Sequence, residues 1–174
     1  MRIAKLLIGL LFTSTAAAAA ADAAPVKTVP SVDLNRYLGR WYEIASYPQK
    51  FTRKCVRDIT ATYSKDDDGD IAVVNRCKTK EGDVKVAKGY AKVVPGTGNA
   101  KLEVTFFWPF FGDYWVIGLD ADYRWVVVGD PTREYLWILA RTPQLPQPEL
   151  DAAMGVVRAQ GFKPDRLRWA KHGD

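Results

Sequence analysis

The chain has 174 residues, 25 basic against 20 acidic side chains, and 48% apolar residues. That length suits one domain with a core of its own, and a net charge of +5 does not by itself point to nucleic acid. Two thiols and a single histidine, His172 in the terminal tail, are too few ligands for a zinc site.

Residues 1–24 stand apart. Arg2 and Lys5 flank an apolar segment, Ile3 to Phe12, and an alanine run follows. This is the pattern of a secretory signal peptide, with Ala19 and Ala21, or Ala21 and Ala23, as small residues before the cut. The alternative is a retained anchor helix, but the apolar segment is shorter than the roughly 20 residues that span a bilayer. No cysteine precedes Cys55, so a lipoprotein anchor is not expected. Loss of Arg2, Lys5 and Asp22 leaves 23 basic and 19 acidic side chains, +4, in a domain expected over residues 25–174. In an exported chain, Cys55 and Cys77 default to a disulfide. A redox pair is the alternative, but there is no Cys-x-x-Cys motif to lower a thiol pKa.

The domain opens with one expected helical turn, Asp33 to Leu38, with Asp33 as N-cap. Gly39 then allows a sharp turn into a strand that Pro48 stops. Side chains alternate along a strand, so Trp41, Glu43, Ala45 and Tyr47 are expected on one face. Further strands are read at Val56–Lys65, Ile71–Thr79, Val84–Val94, Leu102–Phe107, Asp113–Leu119, Trp125–Gly129 and Tyr135–Ala140. Trp108 to Gly112 reads as an aromatic loop. Pro146 and Pro148 then open a helix to about Gln160, closed by Gly161, with Leu150, Ala153, Met154 and Val157 on one face. Leu167–Trp169 is a candidate final strand. The expected fold is all-β: an eight-stranded antiparallel up-and-down barrel with a C-terminal α-helix packed outside, a size that can hold one small ligand.

Three blocks carry a resemblance: Gly39-x-Trp41, Leu119-Asp120-Ala121-Asp122-Tyr123-Arg124, and Arg141 after the eighth strand. In order and spacing they resemble the lipocalins. The middle block, Trp41–Ala45 and Tyr135–Arg141 look like the branch of bacterial lipocalins and apolipoprotein D. The resemblance covers roughly residues 32–170 and implies a carrier of fatty acids, lysophospholipids or similar molecules. It also implies that Tyr63, Asn75, Phe106 and Trp137 line the pocket. Up-and-down connectivity brings Gly39, Trp41, Asp120 and Arg141 to one end, where Arg141 can stack on the indole as a structural floor. The same connectivity puts Cys55 and Cys77 together at the mouth.

Alternation further places Ala45, Ile59, Ala61, Val73, Val104, Val116, Val126, Val128 and Leu139 inward, with Tyr114 near the top. The small residues Ala87, Gly89, Ala91 and Gly118 in the same registers argue for a cavity rather than a filled core. Glu43 also falls inside, where a lone carboxylate needs a partner: a tyrosine or floor residue structurally, or a ligand hydroxyl functionally. The mouth gathers Lys50, Arg53, Lys54, Lys78, Lys80, Lys85 and Arg133 against fewer acids, beside Phe107, Trp108, Pro109, Phe110 and Phe111. Those aromatics either fold into a lid or meet a lipid surface. Carriage of a lipid in the periplasm, or after secretion, is the leading expectation, with no cofactor, metal or catalytic residue. A lipid-modifying enzyme, a conceivable role for Glu43 with a tyrosine, and a filled envelope interaction module are the alternatives.

Overall fold

The computed structural model describes residues 24–66 and 69–173. Residues 1–23 of the expected signal peptide, Asp67 and Asp68 therefore lie outside the described residues. The elements are α1 (Leu34–Tyr37), β1 (Gly39–Ser46), β2 (Arg57–Lys65), β3 (Ile71–Lys78), β4 (Val84–Val93), β5 (Lys101–Phe107), β6 (Phe110–Leu119), β7 (Trp125–Gly129), β8 (Leu136–Ala140), α2 (Gln147–Ala159) and β9 (Arg168–Trp169). Each of β1 to β7 pairs antiparallel with the next, and β8 returns to β1. The β1–β2 pairing completes a closed barrel.

β7 and β8 show why the apolar pattern changes along the chain. Their outer faces lie under α2 and their inner faces line the barrel, so they are buried on both sides. They accordingly read as near-continuous apolar runs, Trp125–Gly129 and Leu136–Ala140. β4 has no helix over it, and its outward positions alternate through Val86, Lys88, Tyr90 and Lys92. Ala153 and Val157 of α2 are fully buried against this wall, and Leu150 and Met154 pack beside them. Each such aliphatic side chain contributes roughly 1.5–3 kcal/mol.

Two β-bulges correct the expected alternation. In β1 the register to β8 slips between Glu43 and Ala45. Trp41 stays inside, while Ile44, Ala45 and Tyr47 join the cluster under the helix. Ala45 is therefore not a lining residue. In β6 the register slips between Val116 and Gly118, and a Cβ on Gly118 would lie 2.7 Å from Val156 of α2. Gly118 is a close-approach site for the helix, not free space in the barrel. An extra residue at a bulge turns the following side chains to the other face.

β9 was expected as a short strand; its position is the new feature. It pairs with the upper half of β1, Ala45 with Trp169 and Ser46 with Arg168, on the edge that β2 holds only from Gly39 to Tyr42. Ala170 N–H donates to Ile44 O at 2.9 Å and Asp58 N–H to Lys171 O at 2.8 Å. The tail thus fills the gap where β1 and β2 part. Among the described residues no helix is long and apolar enough to cross a membrane.

Candidate functional site: the barrel interior and its mouth

The floor forms as the residue types dictate. Asp33 caps α1 through the N–H groups of Asn35 and Arg36, and Gly39 takes φ +95°, a left-handed conformation suited to glycine. Trp41 is fully buried, and its indole N–H donates to Tyr37 O at 2.8 Å. The Arg141 guanidinium lies 3.7 Å over the indole ring and donates to Arg40 O, Arg36 O and Tyr37 O at 2.9, 2.6 and 3.2 Å. One side chain therefore closes the end and satisfies carbonyls of α1 and β1. Asp120 is nearby but serves Arg124, which holds its carboxyl below the usual range.

Above the floor, burial falls with height. Low on the inner wall Ile71, Val73, Ala91, Leu102, Val116, Val126 and Leu139 are all buried, as is Val128 level with Trp137. Higher on the same strands Ala61, Asn75, Gly89, Val104, Phe106 and Trp137 are only partly buried, and Ala87 and Lys85 are exposed. The lower half is a packed core; the upper half is a cup open at the mouth. Val116 and Leu139 therefore belong to its packed base, and Val128 is buried beside Trp137. Trp137 stands beside the cup, stacked between Tyr135 at 6.0 Å and Tyr114 at 6.4 Å.

Tyr114 corrects another expectation: it lies deep, not near the top. It pairs with Leu102 at the lower end of β5, and its hydroxyl is 2.7 Å from that of Tyr37 and 2.9 Å from that of Tyr63. Burial pushes the Tyr63 phenol up to about 12 and raises Tyr37 and Tyr114 well above the ordinary range. The trio stays neutral and hydrogen-bonding. Tyr37 comes from the helical turn before β1, which strand periodicity does not reach. The Asn75 Oδ1 is shielded from solvent without a hydrogen-bond partner.

Glu43 meets neither a tyrosine nor the floor. It accepts from Ser46 Oγ at 2.8 Å and borders a cleft of about 30 Å³ with Cys55, Ile59, Arg168 and Trp169. Burial raises its pKa, which the Ser46 bond and Arg168 only partly offset. Above the ordinary value of 4.5, the unfolded chain releases a proton that the folded chain retains. Stability is therefore lost as pH rises from there through the folded pKa. Glu43→Gln keeps an acceptor for Ser46 and should raise the urea midpoint at pH 7, with the gain shrinking toward pH 4. An equal gain at both values would show that the charge is not the cause. His172 lies by the seam, with Nε2 2.7 Å from Glu43 O and its ring edge-on to Tyr42.

At the mouth, Cys55 and Cys77 are joined. Phe107, Trp108 and Phe110 are 78, 76 and 77% exposed, so the aromatic loop is a lip and not a folded lid. Its loop is also shorter than expected, because β6 begins at Phe110. Lys50, Arg53, Lys54, Lys80 and Lys85 are exposed around it. Arg133 is not free for this rim: it donates to Gln160 O at 2.8 Å and to Ala24 O, at the end of α2. Lys78 pairs with Asp58 at 3.0 Å.

A closed eight-stranded barrel with a helix outside is also the fold of the solved structures this chain matches. The lipocalin-like domain family matches residues 32–172. The chain is a lipocalin. It is 40% identical over 147 residues to "Outer membrane lipoprotein Blc" of Citrobacter freundii, covering 84% of this chain and 82% of that protein. It is 40% identical over 142 residues to apolipoprotein D of Macaca fascicularis, covering 78% and 74%. It is also 35% identical over 156 residues to temperature-induced lipocalin-1 of Arabidopsis thaliana, covering 86% and 84%. Among solved structures, insecticyanin from the tobacco hornworm superposes with a TM-score of 0.70 at 20% identity, covering 86% of this chain and 85% of that one. These relatives place this lipocalin in the branch of Blc and apolipoprotein D.

Proposed function

We propose that this lipocalin carries single-chain amphiphiles, fatty acids or lysophospholipids, as part of lipid handling in the cell envelope, and returns them unchanged. The observation that carries the reading is the gradient of burial: a packed base beneath an open cup of small and aromatic side chains. Ala61, Asn75, Phe106 and Trp137 would surround the acyl chain, with Tyr63 and Tyr114 beneath it. Each buried CH₂ would contribute about 0.8 kcal/mol. An anionic head would remain at the rim near Lys85, since a charge carried to the base would meet only neutral phenols.

The lip supports loading from a membrane. Exposed Phe107, Trp108 and Phe110 beside lysines suit the boundary between headgroups and acyl chains. The names of the Blc relatives place those proteins at the outer membrane. With the signal-peptide pattern of residues 1–24, this supports a periplasmic location, or secretion, for a peripheral membrane visitor. The one histidine packs at the seam against Tyr42 and Glu43, which favours carriage over lipid chemistry.

Trp137 provides the test. A chain in the cup would lie against its indole, so oleate or a lysophospholipid should shift tryptophan emission. Trp137→Phe keeps most apolar area and should lose much of that shift, with the ligand recovered intact. If Trp137→Phe responds as the parent does while Trp108→Phe abolishes the response, the ligand sits on the lip and the cup reading fails.

A further inference from the structure

We infer that the cup contains a neutral hydrogen-bonding subsite, formed by Asn75 and the Tyr37–Tyr114–Tyr63 trio, that selects acyl chains bearing a hydroxyl within the hydrocarbon. This rests on the carrier reading above and adds a chemical preference to it.

The argument is a count of donors and acceptors. The trio contains three hydroxyl protons, but its hydroxyls make two mutual hydrogen bonds. Each bond consumes one proton, so one O–H always lacks an acceptor within the trio, whichever way the bonds run. Asn75 adds an amide oxygen that is shielded and unpartnered. Its cross-strand neighbours on the inner wall are Ala61 and Ala87, neither of which has a polar side-chain atom to offer. Tyr63 pairs with Val73, one inward position below Asn75, so Tyr63 and the amide share one stretch of wall, and Tyr114 and Tyr37 join them through the Tyr114 hydroxyl.

Their depth says which part of a ligand they meet. Lys85 pairs with Cys77 at the rim. Asn75 lies two residues below Cys77, about 7 Å along the strand, and Tyr63 is at the level of Val73, about 13 Å below. A head held at the rim leaves these groups beside the chain. A plain hydrocarbon leaves both unpaired. A chain hydroxyl can donate to the amide oxygen and accept the spare phenolic proton. A site built to hydrogen-bond a hydroxyl discriminates against the analogue that lacks it, because its own polar groups are left without partners.

Oleate and ricinoleate provide the comparison: they have the same chain length and one double bond each, and differ by a mid-chain hydroxyl. Calorimetric titration of the full chain should show ricinoleate binding about three- to tenfold more tightly. In Asn75→Leu the preference should fall to within about twofold, and the ligand-free melting temperature should rise because a shielded unpaired amide is gone. Asn75→Val, on a residue suited to strands, repeats the measurement if the leucine variant folds poorly. Equal affinity for the two acids in the parent overturns the subsite and leaves the carrier standing. So does a preference that survives both variants, or a lowered melting temperature in both, which would give the amide a structural partner. Binding of neither acid overturns both readings.

Discussion

Trp41→Ala should destabilise the barrel by about 3–5 kcal/mol, as the removal of a large, fully buried aromatic does. The loss has three sources: the cavity, the indole N–H bond to Tyr37 O, and the ring on which Arg141 lies. Arg141→Ala should cost less, because the indole remains and the carbonyls of Arg36 and Arg40 lie near exposed positions that water can reach. Urea titrations of parent and variants measure both. Unchanged midpoints in the two variants would mean that this end of the barrel does not hold the fold together.

Breaking the disulfide should cost about 3 kcal/mol, the chain-entropy value for a crosslink whose cysteines are 22 residues apart. The bond joins the chain just before β2 to the end of β3, next to the pairing of Arg57 with Lys78 and the bond from Val56 N–H to Lys78 O. A Cys55→Ser, Cys77→Ser double variant should therefore melt lower, with amide exchange accelerating first at the mouth. Titration of the denatured, unreduced parent should find no free thiol. Two reactive thiols, or a double variant as stable as the parent, would contradict this account.

The floor was legible in the sequence because its parts are local: a capped turn, a glycine, and strand counts that bring Trp41 and Arg141 to one end. The interior was legible only where strands stay regular. Parity placed Trp41, Tyr63, Asn75 and Phe106 on the inner wall. It failed at Ala45 and Gly118 because an added residue in β1 and β6 makes no mark on apolar periodicity; both strands carry apolar side chains on each side of the slip. Tyr114 was misplaced for a different reason. β6 is ten residues long and sheared against β5, so counting from the start of an expected strand misjudges depth. Tyr37 was missed as a member of the interior because a residue outside every strand has no parity to read. The partner of Glu43 was likewise hidden, since Ser46 reaches it only through the bend that the bulge creates.

The inserted tail sets the order in which the barrel can form. Closing the wall brings Ser46 opposite Trp137 on one side and Arg168 on the other, contacts between the first and last parts of the domain. Such long-range pairings make folding slow, because chain entropy is lost before the contacts repay it. A growing chain that has produced β1 to β8 still lacks the backbone groups that meet Ile44 O and Asp58 N–H. Its β1 and β2 edges remain open above Tyr42 and Thr60, as unpaired strand that can add to another chain. Completion of the wall therefore waits for residues 168–173, and the period of greatest exposure to aggregation falls before they take their place.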